Sequence, residues 1–99
     1  MGKTDLKVTT GKRRKADMES LIAQWEGEMV ITRYDRPANA WIFIAVYSTL
    51  LGPAAGGTRM KPYRNPLTAL QDAMLLAKGM AYKYAVPGMP WGGGKAVIA

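Results

Sequence analysis

Apolar positions along this chain change their spacing several times, and each change marks an element. Leu21, Ile22 and Trp25 fall on one helical stripe, with Asp17 placed to cap its start and Gly27 to end it, so a short helix of about ten residues is expected. From Glu28 to Tyr34, and again from Ala40 to Ser48, the chain is rich in Val, Ile, Thr, Phe, Tyr and Trp, and Asp35-Arg36-Pro37-Ala38-Asn39 between the runs is turn chemistry. The two runs predict an antiparallel pair. Ala40 to Tyr47 is apolar at nearly every position, which predicts a strand covered on both faces of its sheet, with a helix on at least one.

That helix follows. Asn65-Pro66 is an N-cap with proline at the first helical position, where its missing N–H costs nothing. Leu67, Leu70, Met74, Ala77, Met80 or Ala81, and Tyr84 then recur at spacings of three and four until Pro87-Gly88, so the helix is expected over Pro66 to Val86. Gly56 to Met60 suits a short strand leaving the Gly52-Pro53 turn, and another strand begins at Lys95 to Ala99. The order strand, long helix, strand predicts a right-handed crossover with parallel pairing. The expected fold class is therefore α/β, a mixed, partly parallel sheet flanked by helices.

Composition narrows the picture. Ninety-nine residues hold one domain at most. No apolar run approaches the roughly 20 residues of a membrane span, and no secretory signal opens the chain. Cysteine is absent, which fits a reducing compartment, and the cytoplasm is the default expectation. Without Cys or His, the common zinc sites and the Ser-His-Asp and Cys-His nucleophile systems are excluded. Of the net charge of +7, residues 1–16 carry +5. That segment reads as a basic, flexible, solvated tail ahead of a domain over residues 17–99. Lys12-Arg13-Arg14-Lys15 also suits phosphate contacts, but the tail lacks the interleaved aromatics of a nucleic-acid binder.

Candidate chemistry concentrates near the C-terminus. Gly92-Gly93-Gly94 precedes Lys95, and Lys83 stands twelve residues earlier at the end of the predicted helix. A phosphate-binding loop is refused by spacing: Met89 occupies the position of its first glycine and Ala96 that of its Ser or Thr. No Gly-x-Gly-x-x-Gly lies between a strand and a helix either. Gly56-Gly57 and the triglycine each suit either a tight turn or the close approach of a ligand. Lys83 in a last helical turn is accounted for by the helix dipole alone. Lys95, beside three glycines at the mouth of an apolar strand, is expected to be partly desolvated, and desolvation and a second nearby ammonium both favour its neutral form, a usable general base. Together the lysines suggest a site for a small anion, one cation holding a carboxylate while the other sheds its proton.

Gly52-Pro-Ala-Ala-Gly-Gly-Thr-Arg-Met60, Ala69-Leu-Gln-Asp-Ala73, Leu76-Ala-Lys-Gly-Met-Ala-Tyr-Lys83 and Gly92-Gly-Gly-Lys-Ala-Val-Ile98 resemble the glutamate/leucine/phenylalanine/valine dehydrogenase family, in its N-terminal substrate-binding and dimerisation domain. The resemblance is close over Leu51 to Ala99. It implies oxidative deamination of an L-amino acid to a 2-oxo acid and ammonia with NAD, NADP not being excluded. It further implies that Lys83 binds the substrate α-carboxylate and that Lys95 is the catalytic base, with Ala55, Gly56, Gly57 and Met80 lining the substrate pocket. The glutamate branch carries lysine where this chain has Ala55. An apolar residue there points to aliphatic or aromatic substrates such as leucine, valine or phenylalanine, in a pocket roomier than a leucine side chain would leave. The family's catalytic aspartate and its NAD-binding Rossmann domain lie beyond the lysine loop. The chain is therefore expected to be an incomplete dehydrogenase N-terminal domain, inactive by itself and homo-oligomeric in the complete enzyme. Two alternatives stand beside this reading: a non-catalytic oligomerisation module derived from the family, and a small nucleic-acid binder using the basic tail.

Overall fold

A computed structural model describes residues 17–99, so the basic tail and its proposed roles lie outside the described residues. Helix α1 covers Met18–Trp25, shorter than expected, and Asp17 caps it by accepting the Ser20 amide at 2.8 Å. Its end differs from expectation. Glu26, not Gly27, takes the left-handed conformation (φ 68°), and Gly27 instead leaves room for the Trp25 ring, 2.3 Å from an added Cβ. Trp25 itself is buried and donates its indole N–H to the Met74 carbonyl at 2.8 Å, seating a helix too short to persist alone.

Strands β1 (Met29–Asp35) and β2 (Ala40–Ser48) form the expected antiparallel hairpin. The next strand is interrupted: β3 is Ala54–Ala55 and β4 is Thr58–Met60, with Gly56 and Gly57 between them. Helix α2 runs Pro66–Ala85, capped by Asn65 on the Thr68 amide at 2.9 Å. Strand β5 spans Gly92–Ile98, so the triglycine is the start of the strand and not a loop before it. β5 lies antiparallel to β2 on one side and parallel to both β3 and β4 on the other. The sheet is thus mixed, with the chain crossing from β4 through α2 to a parallel neighbour.

The triglycine extends as strand because its backbone is closely surrounded. A Cβ on Gly92 would lie 1.8 Å from the Ser48 carbonyl oxygen, and one on Gly93 would lie 2.3 Å from the Ala81 nitrogen and 2.5 Å from the Ala77 oxygen. Helix and strand approach backbone to backbone here. The same economy runs down α2, where Ala69, Ala73 and Ala77 have no exposed surface and flank Leu70 and Met74. Opposite them sit Phe43, Ala45 and Val97. Small side chains bring α2 close to the sheet, and the dispersion contacts of a dense interface follow.

The expectation that β2 is covered on both faces is overturned among the described residues. Phe43 and Ala45 are buried under α2, but Ile44 on the other face is 39% exposed. Register places Ile31 beside Ile44 and Met29 beside Val46, and continues the row through Ala96 and Ile98 to Met60. That face is apolar as a two-sided strand requires, yet no described element covers it.

Candidate active site at the edge strand

Alternation along β5 decides where Lys95 starts. Gly93 faces α2 and Val97 is in the core beneath it, so Lys95 between them leaves the sheet on the helix-covered face. Its half-buried side chain runs out to the edge, where Nζ would lie 3.3 Å from a Cβ on Gly57. The neighbouring Ala96 amide donates to the Gly57 carbonyl at 3.1 Å, which fixes that glycine beside the lysine. Ala54 points to the opposite face, 3.2 Å from a Cβ on Gly94. Half-buried Ala55, paired with Gly93, therefore shares the face of Lys95.

The two glycines of the interruption differ in role. At Gly56 an added Cβ would meet the Gly94 carbonyl oxygen at 1.7 Å, so its bareness serves packing of the edge against β5. At Gly57 the neighbour is the Lys95 ammonium itself, 3.3 Å from an added Cβ, so its bareness leaves room for that side chain. The Gly92–Gly94 run is likewise taken up by packing.

Lys83 stands exposed in the last turn of α2. Its direction follows from a residue the sequence reading passed over. Asp72 accepts a hydrogen bond from Arg59 Nη1 at 3.0 Å, which is also an ion pair, and a second from the Tyr63 hydroxyl onto the same oxygen. The flank of α2 that carries Asp72 therefore overhangs β4. At about 100° per residue, Lys83 lies within roughly 20° of Asp72 around the helix and about 16 Å further along it, and Met80, between them in height, is turned about 80° from Asp72. Since α2 returns against the direction of β4, moving from Asp72 to Lys83 moves back along the edge strand from Arg59 towards Ala55. Ala55, Gly57 and Lys95 thus share the helix-covered face at the sheet edge, while Met80 and Lys83 lie on α2 beyond Asp72.

Asp72 carries a balance of opposing effects. Burial pushes its carboxyl up, but the hydrogen bonds from Tyr63 and Arg59 and the charges of Arg59 and Lys61 outweigh burial and hold it below the usual carboxylate range. Burial raises the Tyr63 hydroxyl, and its bond to Asp72 raises it further. One signal in the sequence marks Asp72: it is the sole acidic residue after Asp35, in a stretch that contains Arg59, Lys61, Arg64, Lys78, Lys83 and Lys95.

The dinucleotide implied by the resemblance finds no fit among the described residues. A phosphate cradle needs a glycine turn between a strand and a helix N-terminus, whereas the triglycine is closed in by backbone and Asn65 occupies the start of α2. Nor do the described residues contain a group of His, Cys, Asp or Glu suited to a metal ion, and none of their helices is long and apolar enough to cross a membrane.

Comparison with known proteins identifies the family. The sequence profile of the Glu/Leu/Phe/Val dehydrogenase dimerisation domain matches residues 32–99. Valine dehydrogenase of Streptomyces albus is 52% identical over 71 residues, which cover 72% of this chain and 20% of that enzyme. Leucine dehydrogenase of Bacillus subtilis is 44% identical over 75 residues, 76% of this chain and 21% of the enzyme. The crystal structure of L-tryptophan dehydrogenase from Nostoc punctiforme superposes with a TM-score of 0.76 at 41% identity, covering 82% of this chain and 24% of that one. The chain spans about a fifth of the length of these enzymes.

Proposed function

Because the chain belongs to the Glu/Leu/Phe/Val dehydrogenase family through its dimerisation domain, we propose that it supplies the amino-acid-binding half of an NAD-dependent oxidative deamination. Lys83 holds the substrate α-carboxylate, and Lys95 serves as the base. The observation that carries this reading is the close approach of the Lys95 ammonium to Gly57, 3.3 Å from where a side chain there would begin, a position only a bare backbone leaves to the lysine. The two lysines divide the work: Lys83, exposed at the helix end, pairs with the carboxylate, and half-buried Lys95 exchanges a proton with the reacting amine or an attacking water. Ala55 and Met80 present only apolar surface, which favours an aliphatic or aromatic substrate side chain such as that of valine, leucine or phenylalanine. Hydride acceptance belongs to NAD, or NADP, bound outside the described residues.

The test uses the chain as it is. Titration with 3-methyl-2-oxobutanoate is expected to shift the amide resonances of Gly57, Lys83 and Lys95, and Lys83→Ala to weaken binding by about tenfold or more, the worth of a charge-assisted contact. Unchanged spectra, or equal affinity in both Lys83→Ala and Lys95→Ala, would overturn the assignment.

A second reading, a pairing module without catalysis, is favoured by the uncovered sheet face: Ile31 is 51% and Met60 76% exposed on it. The two readings are compatible, since the face and the lysine corner lie on opposite sides of the sheet.

A further inference from the structure

The edge strand is thinly held. β3 pairs with β5 over two residues and β4 over three, and the break between them leaves the Gly57 carbonyl bond to Ala96 as the link at the lysine corner. Short paired segments of this kind have no independent stability. Yet Gly57 must stay in place relative to two lysines on different elements, Lys95 from β5 and Lys83 from α2. Asp72 provides the connection. Its one oxygen receives Arg59, two residues beyond Gly57 on the edge strand, and Tyr63, on the segment entering α2. With the Asp72 side chain 20% exposed and that of Arg59 41%, the cluster is sheltered enough to hold a geometry.

Resting on the functional reading above, we propose that Asp72 is a positioning residue: by pinning Arg59 and Tyr63 it fixes the broken edge strand against α2 and so sets the span between Lys83 and the Gly57–Lys95 pair that a substrate must bridge. Asp72 does not itself reach the corner, which lies about three helical turns further along α2. It acts through the backbone of β4. An alternative occupation of this carboxylate, simple stabilisation of the fold, predicts lower stability with unchanged affinity in the molecules that remain folded.

Binding of 3-methyl-2-oxobutanoate to the 99-residue chain, read together with exchange of the Ala96 amide, separates these. In Asp72→Ala, affinity is expected to fall by about tenfold, since a displacement near 1 Å at a reacting centre carries penalties of that order or more, and Ala96 is expected to lose protection while Val97 keeps its own. Asp72→Glu, which retains the charge, is expected to recover affinity to within about threefold of the unmodified chain. Leu75→Ala, on an exposed position of the same helix, is expected to change neither. If Asp72→Ala does not fold, Tyr63→Phe removes one bond to the same oxygen, and a loss of affinity of about threefold is expected. A lower melting temperature with affinity and Ala96 protection unchanged would overturn the proposal while leaving the functional reading intact. Failure of the unmodified chain to bind the acid would overturn the functional reading, and the positioning role with it.

Discussion

At the scale of single residues, glycines that look alike in the sequence do different work, and what surrounds each one decides how it responds to substitution. A methyl group at Gly93 meets backbone of α2 on two sides, 2.3 and 2.5 Å away, and neither side can yield without moving the helix. A methyl at Gly57 meets the far end of a lysine side chain at 3.3 Å, which can swing aside. Gly93→Ala is therefore expected to lower unfolding free energy by about 1–3 kcal/mol or more, the range for overpacking, as measured by urea denaturation. Gly57→Ala is expected to remain close to wild-type stability while weakening 2-oxo acid binding. Equal stability losses in the two variants would contradict the roles assigned. The sequence marks both positions as unusual and does not distinguish them, because the distinction lies in which element crosses over each glycine. Lys83 and Lys95 stand out in the sequence by type and spacing, and their roles come from the family resemblance. Asp72 was not, since its meaning depends on Arg59 and Tyr63 arriving from the other side of the connection.

Elements followed the periodicity wherever one principle acted alone. α2 begins at Pro66 and ends one residue before the expected Val86, because N-cap, proline and a terminal Pro-Gly all agree. The edge strand was displaced, because β-propensity is weak beside the demand of Gly56 and Gly94 for close backbone contact, and β5 starts three residues early for the same reason. Between these elements the Asp72 cluster responds to pH in a defined sense. The folded-state carboxyl lies below its unfolded value of 3.8, so its contribution is fully present above that pH and is lost as pH falls through the lower folded value. Tyr63 has the opposite limit. Its raised hydroxyl keeps its contribution below pH 10.0 and loses it as pH rises through the folded value. Urea midpoints of the unmodified chain and Asp72→Asn are therefore expected to differ at neutral pH and to converge in acid. A difference that persists unchanged to pH 2, on the order of two pH units below the usual carboxylate range, would show that the charge of Asp72 contributes nothing.

The described residues form a thin slab, 47 × 32 × 18 Å along its principal axes, the thickness of one sheet and one helix layer. Its chemistry lies on the helix side and its uncovered apolar rows on the other. Met29, Ile31, Ile44 and Met60 are all exposed on that face, and a contiguous apolar surface of this kind favours association. Concentration-dependent association is expected in sedimentation velocity, and Ile31→Glu together with Ile44→Glu is expected to suppress it without disturbing 2-oxo acid binding. A strictly monomeric unmodified chain would contradict this. The interruption of the edge strand bears on how such a molecule responds to substitution. β3 and β4 hold to β5 as separate units, with Arg59 and Asp72 securing only the second. Ala55 thus sits on the unit that Arg59 and Asp72 do not secure, while the remainder of the edge stays registered. A substitution at Ala55 is therefore expected to act on the face of Lys95 without loosening the Arg59–Asp72 tether.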